Sequence, residues 1–116
     1  MSTSFVGLVG SGGEGTASVS GIQRVVLGEG ALKLNWRVSG PPDAALSLVC
    51  LHAVGHDQDD YAGLHGLTGA RVLSFDWPGH GGSGADQVAA SAERYAAVCH
   101  ALLSTLDGAG GKRRYV

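Results

Sequence analysis

Residues 71–84 place a short apolar strand directly before a glycine-rich turn. Val72, Leu73 and Phe75 give the strand a β-type apolar core, and Pro78 ends it because proline cannot donate to a sheet ladder. Four glycines follow within six residues, where the backbone can take a positive φ or lie close to another segment. Open α/β sheets place their sites just outside the carboxyl ends of their strands, so this turn marks the first candidate site.

The composition is that of a globular protein. Of the 116 residues, 44% are hydrophobic and 16% are charged, which suits one small domain or part of a larger one. The net charge is −2 and the basic run at residues 112–114 is short, so no nucleic-acid partner is expected. No apolar run reaches the roughly 18 residues that span a membrane. We therefore expect a cytoplasmic protein that has no membrane partner.

The two cysteines, Cys50 and Cys99, both lie in apolar segments. Two cysteines do not make the disulfide framework of a small secreted protein. Free cysteines are commonly buried and behave as small hydrophobic residues. We expect both to be buried thiols.

The hydrophobic pattern predicts a folded domain over residues 22–116, preceded by a flexible leader rich in Gly and Ser over residues 1–21. In the segment 31–38, apolar residues alternate with Lys33, Asn35 and Arg37, so one face of this strand is expected to be buried and the other to face solvent. The predicted elements are strands 22–27 and 31–38, which form a hairpin, strand 46–51, helix 57–67, strand 72–75, helix 86–106 and a strand that begins near residue 113. This order predicts an α/β fold whose sheet is mostly parallel with an antiparallel start and carries helices on both faces.

Two motifs directly follow predicted strands. The first is L-H-A-V-G at residues 51–55, and the second is D-W-P-G-H-G-G-S at residues 76–83. Together they resemble the α/β-hydrolase superfamily, in which an H-G-x segment follows the third strand and D-x-P-G-H-G-x-S follows the fourth. The second motif agrees at every fixed position, whereas Ala53 replaces a glycine in the first. The resemblance covers residues 22–116 and implies an incomplete α/β-hydrolase-like sheet.

The resemblance also implies roles for the residues of both motifs. In the superfamily, a backbone N–H just after the H-G pair helps to form the oxyanion hole, and here that donor is the amide of Val54. The other motif residues are expected to form structural turns near the site: His52, Ala53, Gly55, Asp76, Pro78, Gly79, His80, Gly81 and Ser83.

Acyl hydrolysis on this fold needs a nucleophile on a G-x-S-x-G elbow after the fifth strand, followed by an acid and a histidine. No G-x-S-x-G occurs in the sequence, and the nearest imitation, at residues 81–85, uses the serine of the preceding motif. We expect a chain truncated before its nucleophile and inactive alone. The completed protein would hydrolyse an ester, amide, epoxide or related bond in a small-molecule substrate.

Two other hypotheses remain. The apolar strand 46–51 is expected to pair with the strand that the chain barely begins, which leaves a sheet edge open to a second copy or a partner chain. A weaker hypothesis is a metal site built from residues 52–60: His52, His56, Asp57, Asp59 and Asp60. This segment reads as a loop and carries no compact zinc signature, so no metal is expected.

Two further patterns do not assign a site by themselves. Residues 10–15 satisfy G-x-G-x-x-G, but the segment after them is a poor helix former, so no dinucleotide cofactor is expected. Tyr61 and His65 are four residues apart in the predicted helix 57–67. They line the groove above the sheet or lie on the surface of that helix, and the pattern does not distinguish the two.

Overall fold

The computed structural model describes residues 3–10, 17–28, 30–66, 69–108 and 114–116. In this part of the chain six strands, one 3₁₀ helix and one α-helix follow each other. They are β1 (Thr3–Gly10), β2 (Ala17–Leu27), β3 (Gly30–Ser39), β4 (Leu46–Cys50), the 3₁₀ helix (Gln58–Leu64), β5 (Arg71–Phe75), α1 (Ala92–Asp107) and β6 (Arg114–Tyr115).

The strands form one mixed sheet in the order β1-β2-β3-β5-β4-β6. The pairs β1–β2, β2–β3 and β3–β5 are antiparallel, whereas the pairs β5–β4 and β4–β6 are parallel. The predicted α/β fold with an antiparallel start is confirmed. β4 lies between β5 and β6, so the strand predicted to need a later partner does pair with the segment at residues 114–115.

The structure differs from the predicted leader over residues 1–21. Thr3–Gly10 forms β1, and β2 begins at Ala17 instead of residue 22. The two strands pair antiparallel through a register that runs from Thr3 opposite Gln23 to Gly10 opposite Ala17. Backbone pairing with β2 therefore places Thr3–Gly10 in the sheet, although the composition of this part of the chain suggested a flexible segment.

β2 and β3 form the predicted hairpin. Gly28, in the turn, has a φ of +60°, which a residue with a side chain rarely adopts. On β3 the predicted alternation is present, because Leu32, Leu34 and Trp36 are buried while Lys33 is exposed. One face of the hairpin therefore packs into the core.

The hydrophobic core lies between the sheet and α1. Leu73 and Phe75 of β5 pack with Val98 and Leu102 of α1, and all four are at most 1% exposed. Because side chains alternate along a strand, Ser74 points to the opposite face, where it contacts the 3₁₀ helix. The two helices therefore cover opposite faces of the sheet, as predicted.

α1 begins six residues later than the predicted helix 86–106. Ser91 is its N-cap and accepts a hydrogen bond from the Arg94 N–H at 3.0 Å. Asp86 remains outside the helix, where its carboxylate pairs with the Arg94 guanidinium at 2.7 Å. No helix in the described ranges combines the length and apolarity needed to cross a membrane.

The two cysteines are free thiols, as expected from the sequence. Cys50 is buried at the end of β4, whereas Cys99 on α1 is only partly buried. Burial raises the pKa of both thiols, so both are weak nucleophiles at neutral pH.

Candidate functional site

The carboxyl ends of β4 and β5 lie side by side, and the two sequence motifs follow them. His52, which is 4% exposed, joins the two segments. The Trp77 N–H donates to His52 Nε2 at 3.0 Å, and the Trp77 indole N–H donates to the His52 carbonyl at 3.0 Å. His52 Nδ1–H then donates to the Ala53 carbonyl at 2.8 Å. Both ring nitrogens are engaged with the backbone, so His52 acts as a structural link.

Asp76 is the centre of the turn after β5. Its side chain is 2% exposed, and its carboxylate accepts from the Gln58 N–H at 2.8 Å, the Asn35 side-chain amide at 2.9 Å and the Gly82 N–H at 2.9 Å. Burial by itself would raise the pKa of Asp76, but these hydrogen bonds outweigh it and hold the pKa below its ordinary value. Asp76 is therefore an ionised anchor that joins three segments of the chain.

Ser83 fixes the far end of the same turn to β3. Its hydroxyl donates to the Asp76 carbonyl at 2.6 Å and accepts from the Asn35 N–H at 2.9 Å. Beside it, the Gly84 N–H donates to the Lys33 carbonyl at 2.8 Å. With its proton given to a carbonyl, this hydroxyl is held as part of the scaffold and is not poised as a nucleophile.

His80 lies at the rim of the turn. Its Nδ1–H donates to the carbonyl of the buried Pro78 at 2.9 Å, and its N–H donates to the Trp77 carbonyl at 3.0 Å. Its ring centroid is 5.2 Å from that of His52. The motif thus brings two histidine rings together at the edge where β4 and β5 end.

Val54 occupies the exposed tip of the loop after β4. The His56 N–H donates to the Ala53 carbonyl at 3.0 Å and closes a four-residue turn in which Gly55 has a φ of +87°. Val54 is 76% exposed, and its N–H has no acceptor among the residues that the structure describes. Ala53, in place of the usual glycine, has an ordinary negative φ. The turn therefore tolerates the methyl group and leaves the Val54 amide open.

Solved structures resemble the fold of this chain. An aCif variant superposes with a TM-score of 0.65 at 20% identity, over 90% of this chain and 31% of its own. The Cif epoxide hydrolase from Acinetobacter nosocomialis superposes with a TM-score of 0.61 at 19% identity, over 90% of this chain and 31% of its own. A proposed hydrolase from Agrobacterium vitis superposes with a TM-score of 0.57 at 22% identity, over 77% of this chain and 36% of its own.

The chain has the amino-terminal part of the α/β-hydrolase fold. It spans about a third of the length of these solved structures. No protein-family profile matches the sequence, and no curated protein matches it. The likeness shown is therefore one of fold.

Two residues that hold this part of the α/β-hydrolase fold together carry no signal in the sequence. Asn35 was predicted only as a polar position on the wet face of β3, yet it contacts both Asp76 and Ser83. Gln58 binds Asp76 through its N–H and Ser74 through its side-chain carbonyl, at 2.8 Å in each case. Polar residues at alternate strand positions and at helix starts are common, so only their contacts distinguish these two.

The metal hypothesis is not supported by the side-chain arrangement. His52 directs both ring nitrogens to the backbone, while His56 lies apart from it in an ion pair with Asp60 at 2.7 Å. Within the described ranges, no three His, Cys, Asp or Glu side chains form a cluster able to hold a metal ion. Most of the G-x-G-x-x-G pattern, at residues 11–15, lies outside the described residues.

Replacing Gly81 by alanine is expected to lower the free energy of unfolding by about 2–3 kcal/mol. A Cβ at this position would lie 2.4 Å from the Asp76 carboxylate, and Gly81 has a φ of +48°. Gly79→Ala is the matched control, because Gly79 also has a positive φ, +76°, but has nothing within 4 Å of its Cβ position. It is expected to cost only about 1–2 kcal/mol. Urea denaturation of both variants measures the difference, and equal losses would show that contact with Asp76 does not matter.

Proposed function

We propose that this chain provides the amino-terminal part of a hydrolase that cleaves an ester, amide, epoxide or related bond, with the Val54 N–H as an oxyanion donor. The observation that carries the proposal is the exposed, unengaged Val54 amide beside two strand ends locked together by His52 and Trp77. A rigid backbone donor at the rim of a site stabilises charge that develops on a reacting oxygen. The likeness to an epoxide hydrolase supports epoxides among the candidate substrates.

The place for a nucleophile follows from the sheet. β6 runs parallel to β4, so residues after Val116 would emerge at the same edge as Val54. For an ester or amide, an attacking group there would add to the carbonyl carbon, and the C=O π electrons would move to the carbonyl oxygen, which would take a hydrogen bond from the Val54 N–H. The alcohol or amine would then leave as the C=O bond re-forms. The serine of the G-x-S-x-G imitation, Ser83, is engaged in the turn. We therefore propose that residues 1–116 alone do not turn over a substrate.

The first test uses short p-nitrophenyl esters. The purified chain of 116 residues is expected to release p-nitrophenol at the buffer rate, whereas the chain extended by the coding sequence that follows Val116 is expected to be active. Activity of the unextended chain that persists in a Ser83→Ala variant would contradict the proposed division of the site. An inactive extended chain with no nucleophile elbow would contradict the proposed reaction.

Val54→Pro in the extended, active protein is expected to lower kcat by about 10²–10³-fold and to leave KM nearly unchanged. Proline removes the proposed donor, yet it suits the second position of a turn whose third residue, Gly55, has a positive φ. The matched control is Val54→Ala, which shortens the same side chain and keeps the N–H, so its kcat should equal that of the parent. Equal rates for the proline and alanine variants would exclude this amide as the oxyanion donor.

The second candidate function is a non-catalytic module that binds a second copy or a partner chain along the sheet edge. It is favoured by the exposure of apolar residues there: Leu46 at 37%, Tyr115 at 39% and Val116 at 72%. Such an edge offers backbone groups for strand addition. Sedimentation velocity distinguishes the two functions, because this candidate predicts self-association that increases with concentration. A monomer at every concentration would count against self-association and leave only the partner-chain form, which strand-peptide titration can test.

A further inference from the structure

A cleft of about 290 Å³ opens on the face of the sheet that carries the 3₁₀ helix, away from the core beneath α1. Directly opposed residues of neighbouring strands share a face, and Ser20, Arg37 and Ser74 form such a row across β2, β3 and β5. Gln58 and His65 close the cleft from the side of the 3₁₀ helix. None of these side chains takes part in the proposed hydrolytic chemistry.

Most acceptors around this cleft are already engaged. Ser74 donates its hydroxyl proton to Gln58 Oε1 at 2.8 Å and so accepts from His65 Nε2–H at 2.7 Å. His65 Nδ1 is then the acceptor for the Ser39 hydroxyl at 2.7 Å. These bonds fix the wall of the cleft. They also leave neither nitrogen of the His65 ring available to a ligand.

The donors that remain at this cleft belong to Arg37 and Ser20. Arg37 is partly buried and takes part in none of the ion pairs between described residues, which join His56 to Asp60, Arg71 to Asp107 and Arg94 to Asp86. The hydroxyl of Ser20, opposite Arg37, likewise has no partner within the described ranges. A guanidinium carries five N–H donors in a planar fork that matches two oxygens of an anion.

The charged side chains that line the cleft are Arg37 and, at the rim, Asp59. Burial and, after it, the charge of Arg37 lower the pKa of His65 to about 4, so this imidazole is neutral at pH 7 and Arg37 supplies the charge. The acidic residue at the rim, Asp59, is exposed to solvent, where its charge is screened. A partly buried cation without a counterion favours an anionic ligand, because pairing repays part of its desolvation.

We infer that this cleft is a binding site for a small oxyanion, a carboxylate or a phosphate, held by the Arg37 guanidinium with the Ser20 hydroxyl as a second donor. The volume exceeds that of the bare anion and is at the lower end for small-molecule sites, so it leaves room for a short substituent. The site is separate from the Val54 amide and does not depend on the proposed hydrolysis.

The test titrates the purified chain of 116 residues with sodium acetate and, separately, with inorganic phosphate at constant ionic strength, while amide ¹H–¹⁵N spectra are recorded. Saturable shifts confined to the neighbourhood of Ser20, Arg37 and Ser74 are expected with at least one anion. Acetate alone would identify a carboxylate site, and phosphate alone a phosphate site. The absence of a saturable shift with both anions would overturn the inference.

Variants of Arg37 complete the test. Arg37→Gln is expected to weaken binding at least about tenfold, and Arg37→Lys, which keeps the charge but not the planar fork, less than that. Arg24→Gln is the matched control, because Arg24 is an exposed arginine of β2, and its affinity should stay within about twofold of the parent. Equal affinities of the Arg37→Gln and Arg24→Gln chains would overturn the inference. If Arg37→Gln does not fold, Ser20→Ala replaces it, and unchanged affinity in that variant would overturn the role of the second donor.

Discussion

Replacing Asp76 by alanine is expected to lower the free energy of unfolding by about 3–5 kcal/mol, the largest loss from any single truncation in the turn. The substitution removes the acceptor of four hydrogen bonds. Their donors are the N–H groups of Gln58 and Gly82 and the side-chain amides of Asn35 and Gln58. Because Asp76 is 2% exposed, water cannot replace the carboxylate at little cost. Urea denaturation followed by circular dichroism measures the loss.

The control for this variant is Asp43→Ala, which removes an exposed carboxylate from the loop before β4 and should leave the denaturation midpoint unchanged. Similar losses in both variants would show that the contacts of Asp76 do not stabilise the fold. Asp76→Asn offers a second comparison at similar volume. It should also be destabilised, because an amide places N–H groups where donors already point.

Asp76 also gives stability a defined pH dependence. Its pKa in the folded protein is lower than the ordinary value of 3.8, so the unfolded chain binds more protons in the interval between the two values. The contribution is therefore fully present above pH 4–5 and is lost as the pH falls through the folded pKa. The parent should lose more stability than Asp76→Asn between pH 5 and pH 3. Parallel curves for the two proteins would contradict this assignment.

The second large effect is expected at the buried ion pair between Arg71 and Asp107. Asp107→Ala should lower the free energy of unfolding by about 3–5 kcal/mol, because it leaves a guanidinium buried without its counterion. The two side chains are 7% and 6% exposed, with an N–O distance of 2.7 Å. Arg71 also donates to Ser47, and Tyr115 donates to Asp107, so the pair connects β5, the end of α1, β4 and β6.

A double-mutant cycle separates this pairing from simple loss of packing. Arg71→Met combined with Asp107→Leu should lose less stability than the sum of the two single variants, since the double variant leaves no buried charge. The exposed pair of His56 and Asp60 is the control, and Asp60→Asn should leave the melting temperature nearly unchanged. Additive losses in the Arg71–Asp107 cycle would show that the two charges do not stabilise each other.

The predictable part of the site is local in the chain. His52, Asp76, Gly81 and Ser83 belong to motifs whose residues interact within a few positions or follow directly after a strand, so their spacing in the sequence carries the information. The unpredictable part depends on strand order. Asn35 and Asp76 are 41 residues apart in the chain. They meet because β5 lies next to β3 as well as next to β4.

The ends of the strands and helices were predictable only where the hydrophobic pattern changes. The hairpin of β2 and β3 was predicted correctly, because the period-two pattern of burial continues to the turn. The start of α1 was placed too early, since residues 86–91 continue the apolar spacing of the helix. The Ser91 cap and the pairing of Asp86 with Arg94 keep residues 86–91 outside the helix, which therefore begins at Ala92. Hydrophobic periodicity reports neither contact.

The sequence by itself determined the α/β class, the antiparallel start and the two turns after β4 and β5, because burial periodicity and glycine-rich turns are properties of neighbouring residues. The tertiary structure alone decided which residues hold the Asp76 carboxylate and keep it ionised. It also decided that Thr3–Gly10 joins the sheet, and that Arg37 lines a cleft and forms no ion pair with another described residue. These features depend on strand order and register, which bring together residues that are far apart in the chain. The glycine-rich turn at residues 76–84 is therefore a scaffold anchored by distant residues, at the edge of the sheet that also carries the loop with Val54.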